Sequence, residues 1–496
     1  MKLDYFIVFL VLVIGLGIFV RLYALEAHYL NGDEEFYIVA AEKFHVGSDY
    51  DVRLWNYHAP PVAKYIMGLS LIFTDIDYSI PYAIPPNLFV WNYLAYESIG
   101  KVYSLIRMVS ALFGILFIIF IFLIGKELFG IMAGLLSAAS ASIAIDYIIL
   151  SRTALIDIYL YAFVAATLFF YIKYKNSTNK IPHLVGIFIS LILALGTKNL
   201  QSLIIIPPIL YVEIIGNKKN VLKTINFLFL IGLAFFIHNS FVYPAQFSEP
   251  AREFFTTGQA QNIFYLNTIP TFFISLFTIN SYFFLLSFIL IAVYYIKRVH
   301  KQQIKNHIIN PTPYSMIIIL ALLSLFVFSL TTLNQNSKYI TQLAIPFFLL
   351  GGFIIQGFWS KKIIKGAAVA LLLIGLASVV LYFPSYEDYP GQRVISFSSE
   401  GRVFQPQLDF LKSMGNPKVV TNNMNLLIFY DGTAVPIPVK NSPSCNTAFL
   451  EELRAGGYLG VFRNIGTDEK QFLCDFVFEY KEVLGNFSGS NKIVSF

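Results

Sequence analysis

The densest acidic cluster of the sequence follows its first long hydrophobic run. The stretch GDEEFY places Asp33, Glu34 and Glu35 in a row behind a glycine. A carboxylate at the edge of an apolar region can act as a general base and accept the proton of an attacking hydroxyl. A solvated loop would explain the same cluster, so its chemistry depends on which groups the rest of the chain brings beside it.

A second candidate is the polar segment SRTALID, which separates two apolar runs and contains Arg152 and Asp157. The two side chains could form a structural ion pair across a tight turn. Alternatively, the guanidinium binds an anionic head group, because its planar fork donates two hydrogen bonds to a phosphate. The carboxylate would then lie beside that anion.

Other basic residues interrupt apolar sequence in the same way. Lys198, in GTKNL, has no acidic neighbour in sequence, which is compatible with snorkelling to the membrane interface or with binding a ligand. His58 and Lys64, in HAPPVAKY, flank a double proline that predicts an extended turn followed by a helix start. His58 could bind a metal, contact a phosphate or cap the turn.

Three further polar residues complete the candidate set. His238 lies at the end of an apolar run, and Lys338 and Tyr339 precede another one in SKYITQLAIP. A divalent metal held by His58, His238 or a carboxylate is compatible with these residue types. No ligand spacing demands such a metal, so no cofactor is assigned with certainty.

The composition indicates that a lipid bilayer surrounds most of the chain. The 496 residues are 57% hydrophobic and only 13% charged, with a mean hydropathy of +0.66. A soluble protein would carry about a quarter charged residues. Most basic residues lie in short loops between apolar blocks, so the formal charge of +6 does not indicate a nucleic-acid partner.

The apolar blocks predict a polytopic α-helical membrane protein with about eleven spans. Their approximate ranges are 4–24, 102–124, 128–149, 155–172, 182–197, 200–216, 224–242, 270–296, 314–333, 340–358 and 363–382. Basic residues concentrate in alternate connections, which the positive-inside rule assigns to the cytoplasm. They are Lys126, Lys173, Lys175, Lys180, Lys218, Lys219, Lys223, Lys297, Arg298, Lys301, Lys305, Lys361, Lys362 and Lys365. We therefore expect a multi-pass protein of the plasma membrane with its N-terminus inside and its C-terminus outside.

Two of the outer loops are long, at about 25–101 and 243–269, and both mix polar with aromatic residues. Such a mixture is expected for amphipathic helices that lie on the membrane surface. The candidate residues of the preceding paragraphs fall on this outer side. Several loops thus place charge at one face of the membrane, which suits a binding site for a charged ligand.

The composition changes at about Phe383. Short apolar runs separated by turn residues then predict strands with one or two helices. We therefore expect a membrane domain over 1–382 and a soluble extracytoplasmic α/β domain over 383–496. Cys445 and Cys474 fall in the second domain, where they could form a disulfide or remain two buried free thiols.

The order of these motifs resembles that of GT-C fold glycosyltransferases that use lipid-phosphate sugars. The resemblance is to the protein O-mannosyltransferases and the aminoarabinose transferases acting on lipid A, and the composition favours a prokaryotic, archaeal member. The family's Asp-Glu pair, proline-terminated segment and Arg-apolar-apolar-Asp turn are matched by NGDEEFY, HAPPVAKY and SRTALID. Its Thr-Lys pair and its basic-Tyr pair before a proline are matched by GTKNL and SKYITQLAIP. The resemblance covers about residues 1–380. Ala59 separates His58 from the prolines, where mannosyltransferases read His-Pro-Pro, and Lys338 stands where Arg is more usual.

The resemblance implies inverting transfer of a sugar, such as mannose, from a polyprenyl or dolichyl phosphate to a hydroxyl acceptor at the outer face. The acceptor would be a protein or a lipid or glycan, and membrane lipid would surround the donor's tail. Asp33 is the implied base, Glu34 would orient the loop or contact the acceptor, and Asp157 would position a sugar hydroxyl or organise Arg152. The residues implied to bind the donor phosphate are Arg152, Lys198, Lys64, Lys338 and Tyr339.

A transporter or flippase for a lipid-linked or anionic substrate is the alternative of a different class. A transporter of this kind is expected to carry charged residues at mid-membrane and an internal inverted repeat in its sequence. The charged motifs here lie at one membrane edge instead, which favours the enzyme. A receptor or assembly factor would not need carboxylate and cation motifs in four separate outer loops.

Overall fold

A computed structural model describes most of the membrane helices and part of the C-terminal region. The described residues are 3–23, 25, 32–46, 60–74, 96–216, 221–243, 313–329, 344–357, 362–382, 409–421, 434–436, 451, 455–462, 482–487 and 491–495. The predicted span at 270–296 lies outside them, as do Cys445 and Cys474.

The first 382 residues form α-helices wherever the structure describes them, apart from short connections. The helices are α1 (Leu3–Leu22), α2 (Gly32–Val46), α3 (Val62–Ser70), α4 (Tyr96–Phe129), α5 (Ile131–Ile143), α6 (Ile145–Arg152), α7 (Asp157–Asn176), α8 (Ile181–Leu195), α9 (Asn199–Ser202), α10 (Ile206–Gly216), α11 (Val221–Ile237), α12 (Pro313–Ser329), α13 (Ala344–Gly357) and α14 (Lys362–Tyr382). Single 3-10 turns follow α3 and α9, and a π-helical turn, His238–Val242, ends α11. Ten of the eleven predicted spans therefore coincide with helices in the described part of the chain.

Length and composition identify only some of these helices as membrane spans by themselves. Within the described residues, Val102–Phe129 and Thr224–Val242 are long and apolar enough to cross a bilayer. Helices α5 and α6 make a third if this pair, bent by 63°, is counted as one span. The total of about eleven crossings stays a prediction.

Small residues let α4 and α5 approach closely. A Cβ on Gly125 would lie 2.8 Å from the Cα of Gly134, so the two backbones touch at this crossing. Close contact through small residues is how membrane helices gain packing energy, because lipid gives no hydrophobic drive between them. The hydroxyls of Ser137 and Ser140 in α5 donate hydrogen bonds to the backbone carbonyls four residues earlier, at 2.8 and 2.7 Å. Their polar groups are therefore satisfied within the helix.

Helix α7 is buried on all sides along its first twelve residues. A helix that is apolar all round belongs in the interior of a bundle. Aromatic rings surround it: Phe113 lies 4.4 Å from Tyr159 and Phe117 lies 6.4 Å from Tyr161, centroid to centroid. The hydroxyls of Tyr159 and Ser110 are 3.1 Å apart. This rigid helix carries Asp157 at its first position.

The chain divides into two compact units. The first comprises Met1–Leu25, Tyr57–Ala63 and Arg107–Leu381; the second comprises Glu26–Asn56, Lys64–Ile106 and Tyr382–Phe496. The predicted domains at 1–382 and 383–496 concern placement at the membrane, and they stay a prediction.

The C-terminal region contains a five-stranded mixed sheet. Its strands are β1 (Val419–Thr421), β2 (Ala434–Pro436), β3 (Leu459–Phe462), β4 (Glu482–Phe487) and β5 (Asn491–Ser495), in the order β2-β1-β3-β5-β4. Strand β1 pairs in parallel with β2 and β3, whereas β5 pairs antiparallel with β3 and β4. The region after Phe383 thus forms strands, as its short apolar runs predict. The placement of this sheet outside the cell stays a prediction.

Candidate functional site

Lys198 and Asp157 form an ion pair within the first compact unit. Lys198 Nζ donates a hydrogen bond of 2.6 Å to Asp157 Oδ1, although 41 residues separate them. The side chains are only 15% and 3% exposed. Asp157 occupies the first position of α7, where the helix dipole favours a negative charge. Lys198 lies in the turn between α8 and α9, so its partner becomes visible only in the folded chain.

Arg152 contacts a different element. It ends α6 and its side chain is fully buried. Its Nη1 donates to the carbonyl oxygens of Val20 and Tyr23 at the end of α1, the latter at 2.6 Å. One of its nitrogens therefore supports α1, and the predicted phosphate role of Arg152 stays a prediction.

Three segments meet at Gly196, two residues before Lys198. The backbone N–H of Val62 donates to the Gly196 carbonyl at 2.9 Å. A Cβ on Gly196 would lie 2.3 Å from Val62 Cγ2 and 3.1 Å from Val242 Cγ1. The start of α3, the turn between α8 and α9, and the π-helical end of α11 are therefore in direct contact. These are the segments that carry the motifs HAPPVAKY and GTKNL and the residue His238.

His238 opens the π-helical turn and is fully buried. Neither ring nitrogen has a hydrogen-bond partner in the described part of the chain. Its ring centroid lies 6.3 Å from that of Tyr243. Buried polar groups are normally hydrogen-bonded, so this imidazole has one donor and one acceptor that no described residue satisfies.

The described residues contain no cluster of three or more His, Cys, Asp and Glu side chains arranged to hold a metal. Of the predicted metal or phosphate ligands, His58 lies outside those residues. Lys338 and Tyr339 do as well, so their predicted roles are untested. Of the two histidines predicted to bind a metal or a phosphate, only His238 lies in the part of the chain that the structure describes.

The acidic cluster begins a helix of the second compact unit. Asp33 and Glu34 follow Gly32 in the first turn of α2, where negative charge is favourable. Glu34 is fully buried. The side chains of Asp33 and Glu35 lie outside the described residues. The cluster is therefore part of a helix and not of a loop.

Lys64 belongs to α3 and is also fully buried. Burial lowers the pKa of Lys64 from its usual 10.5 to about 7. Within the second unit, α3 packs against α2: a Cβ on Gly68 would lie 2.6 Å from the Ala41 carbonyl, and the rings of Phe44 and Tyr65 are 4.8 Å apart. The helices that carry Glu34 and Lys64 thus form one packed pair.

Four buried charged residues inside apolar runs were not among the residues predicted from the sequence: Arg21, Arg107, Asp146 and Glu213. Both arginines are fully buried, and Asp146 is 9% exposed. Arg21 lies in the predicted span 4–24 and Arg107 in the predicted span 102–124. The rule that a charge inside a span is a functional hypothesis would have found them if it had been applied within the spans as well as at their edges.

Comparison with known proteins shows what the sequence and the fold are similar to. A family model described as dolichyl-phosphate-mannose-protein mannosyltransferase matches residues 85–243, the segment that contains Arg152, Asp157, Lys198 and His238. The structure of ArnT from Cupriavidus metallidurans bound to undecaprenyl phosphate has a TM-score of 0.55 at 13% identity, with 98% of this chain and 98% of that chain covered. Its apo state gives a TM-score of 0.57 at 14% identity, covering 98% and 97%. This is the GT-C fold. A comparison with curated proteins gave no match.

The GT-C fold confirms the resemblance that the motifs predicted. It also confirms the class of polytopic helical membrane protein, because the likeness to ArnT extends over nearly the whole chain. The number of spans, the plasma-membrane location and the sides of the termini stay predictions.

Proposed function

We propose that the protein is a membrane glycosyltransferase that uses a polyprenyl- or dolichyl-phosphate sugar as donor. The buried Lys198–Asp157 pair carries this proposal. It lies beside the point where the start of α3, the turn between α8 and α9, and the π-helical turn His238–Val242 converge. The pair lies in the part of the chain that the mannosyltransferase family model matches. The complex of ArnT with undecaprenyl phosphate supports a lipid-phosphate donor for a chain of this fold.

Lys198 binds the donor phosphate in this proposal. The phosphate is already a good leaving group and needs its charge neutralised more than it needs a proton. Preorganised positive charge at a poorly hydrated site is an effective way to stabilise such a leaving group. When the phosphate contacts Lys198, Asp157 is released from part of its ion pair and can hold a sugar hydroxyl. Lys64, Lys338 and Tyr339 are the other proposed phosphate ligands.

His238 and Arg152 complete the phosphate environment. An imidazole without a hydrogen-bond partner gains one when a phosphate oxygen reaches it, and an unprotonated ring nitrogen could instead coordinate a metal. His58 is the second proposed ligand for either group. The buried positive charge of Arg152 acts on the same anion through space, since charges interact over several ångströms in a low-dielectric medium.

Asp33 is the proposed general base. The acceptor hydroxyl, on a protein or on a lipid or glycan, must lose its proton as it attacks the anomeric carbon. A positioned carboxylate contributes about 10²–10⁴-fold to such a step. Glu34 orients the segment that carries Asp33 or contacts the acceptor. A single displacement inverts the anomeric centre, whereas retention would require a carboxylate nucleophile and a second displacement.

Sugar transfer by the purified protein in lipid nanodiscs tests this function. Dolichyl-phosphate mannose and undecaprenyl-phosphate sugars are supplied with peptide and glycolipid acceptors. We expect transfer by the wild type, and a loss of about 10²-fold or more in Asp33→Asn, because the amide cannot take a proton. Equal rates for the two proteins would overturn the base assignment. Lipid translocation without transfer would instead favour a flippase.

The role of Lys198 has a matched control in the same chain. Lys173 forms a comparable ion pair with Glu127 at 2.8 Å, but the two side chains are 36% and 24% exposed. Lys198→Ala should weaken donor binding strongly, whereas Lys173→Ala should leave it nearly unchanged. Equal effects of both substitutions on the Michaelis constant for the donor would show that Lys198 has no specific contact with the phosphate.

A further inference from the structure

Three fully buried arginines surround the end of α1: Arg21, Arg107 and Arg152. Each donates to backbone carbonyl oxygens. Arg107 Nη1 donates to Leu25 at 2.8 Å, and Arg152 Nη1 donates to Val20 and Tyr23. A buried guanidinium is costly unless it is hydrogen-bonded. These bonds therefore tie Arg107 and Arg152 to the end of α1 and to the residues just after it.

Arg21 acts at the bend between α5 and α6. Helix α5 ends at Ile143 and α6 begins at Ile145, and their axes differ by 63°. The residue between them, Ala144, has extended backbone angles of φ −72° and ψ 110°. A helix that ends leaves its last carbonyls without partners. In hydrocarbon no water can supply the missing hydrogen bonds.

The guanidinium of Arg21 supplies these hydrogen bonds. Nη1 donates to Ser142 at 2.9 Å and Nη2 to Ala141 at 3.1 Å, and both acceptors are carbonyls of the last turn of α5. Nη1 also donates to the carbonyl of Gly17 at 2.6 Å. A Cβ on Gly17 would lie 2.3 Å from Ser142 Cβ, so the absence of a side chain there lets α1 come close enough. Arg21 thus replaces the helical partners that the bend removes.

Both ends of helix α6 are joined by hydrogen bonds to the end of α1. Arg21 holds the carbonyls just before it, and Arg152, its last residue, holds carbonyls of α1. Four residues then lead from Arg152 to Asp157 at the start of α7. The direction of α6 after the bend therefore determines where Asp157 lies. The ion pair between Asp157 and Lys198 depends on that position.

We propose that Arg21 is a positioning residue for the candidate active site. It fixes the α5–α6 bend and thereby places Asp157 for its contact with Lys198. The proposal rests on the proposed function in one respect, since that function makes Asp157 and Lys198 part of the donor site. The role of Arg21 itself rests on its three carbonyl contacts.

The two donor nitrogens of the Arg21 guanidinium stabilise the bend through their geometry and not through their positive charge. Arg21→Lys keeps the charge but offers a compact ammonium that cannot bridge the Ser142 and Ala141 carbonyls in the same way. We expect this variant to exchange amide hydrogens faster over residues 144–157, measured by mass spectrometry in nanodiscs. Exchange in α8, which does not contact Arg21 through these bonds, should stay unchanged.

A double-mutant cycle separates positioning from general stability. Arg21→Lys should lower the transfer rate about 10- to 100-fold, because a displacement of about 1 Å at a reacting group has effects of this size. In the Asp157→Asn background the same substitution should have little further effect, because the group that it positions is already lost. Glu213→Gln is the control: it removes a buried charge that accepts from Tyr171 at 2.8 Å and Lys175 at 3.0 Å. The fold-changes in transfer rate caused by Glu213→Gln and by Asp157→Asn should multiply in the double variant, as expected for independent sites.

The outcomes of this experiment are distinguishable. If the wild type transfers no sugar from any lipid-phosphate donor, the proposed function is wrong and hydrogen exchange alone decides the role of Arg21. Unchanged exchange over 144–157 in Arg21→Lys would overturn the positioning role in either case. If transfer occurs and the effects of Arg21→Lys and Asp157→Asn simply multiply, the proposed link between the bend and the donor site is also wrong.

Discussion

At the scale of single residues, the ion pair of Lys198 and Asp157 combines burial with opposite charge. Taking both groups out of water is expensive, and their attraction offsets this cost only while both are present. An exposed pair, by comparison, contributes about 0–1 kcal/mol. The near-complete burial of Asp157 therefore makes this pair sensitive to the loss of one partner.

We expect Asp157→Asn and Lys198→Met each to lower the free energy of unfolding by about 3–5 kcal/mol, because each leaves a buried charge uncompensated. The double variant should be more stable than the sum of the two losses predicts. Thermal unfolding in detergent, followed by tryptophan fluorescence, measures all four proteins. Strict additivity would show that the two side chains do not interact in the folded protein.

A second prediction concerns the pH dependence of Lys64. Its folded-state pKa of about 7 lies below the usual 10.5, so above pH 7 the folded protein binds fewer protons than the unfolded chain. The free energy of unfolding should therefore rise between about pH 7 and pH 10, as Lys64 becomes neutral in the fold. The proposed role of Lys64 in binding the donor phosphate predicts that affinity for an anionic donor falls over the same range, because Lys64 loses its positive charge.

The measurement for Lys64 uses a donor that does not itself titrate in that range. Dolichyl-phosphate mannose is a phosphodiester with a constant charge, so its binding in nanodiscs from pH 6 to 9 reports on the protein. In Lys64→Arg the charge persists at every pH, and the affinity should change less over that range. A pH profile that is identical in wild type and Lys64→Arg would assign the titration to another group.

The residue types of the candidate site could be read from the sequence, whereas their partners could not. A charge at the edge of an apolar run is conspicuous because it is costly there. Asp157 was expected beside Arg152, five residues away, yet its ion-pair partner is Lys198. Arg152 instead bonds to α1, which precedes it by about 130 residues. Such pairings depend on how helices cross, which the local spacing of residues does not contain.

At the scale of secondary structure, hydrophobic blocks predicted where the helices lie but not where they break. The span expected at 128–149 consists of α5 and α6, with a bend at Ala144. The residues around the bend are as apolar as those of a straight helix, so no composition signal marks it. Its stabilising group, Arg21, comes from another helix. The acidic cluster likewise proved to begin a helix, α2, where a loop was one of the two interpretations.

Gly196 provides a prediction at this scale. Gly196→Ala would place a Cβ 2.3 Å from Val62 Cγ2, so the start of α3 must move away from the turn between α8 and α9. Overpacking of this kind costs about 1–3 kcal/mol. We expect a lower melting temperature and a reduced transfer rate. Gly232→Ala is the control, since nothing lies within 4 Å of its added Cβ. Equal melting temperatures for the two variants would contradict the close contact at Gly196.

At the scale of the whole molecule, the GT-C fold accounts for the asymmetric distribution of charge. In the proposed function, the donor's sugar-phosphate end meets protein charges at one membrane face, while its lipid tail stays in the bilayer. The connections predicted to lie inside also carry lysines with acidic partners on the protein, such as Lys175 with Glu213 at 3.0 Å. The concentration of lysines in these connections is what predicts that they lie in the cytoplasm.

Cysteine accessibility tests that orientation. Lys180 lies in a predicted inner connection and Lys412 in the C-terminal region, and both are exposed. In a chain with Cys445 and Cys474 replaced by serine, Lys412→Cys should react with a membrane-impermeant maleimide in intact cells, and Lys180→Cys only after permeabilisation. The physical reason is the retention of lysine-rich loops in the cytoplasm. The reverse labelling would place the C-terminal sheet inside and the acidic start of α2 on the cytoplasmic face.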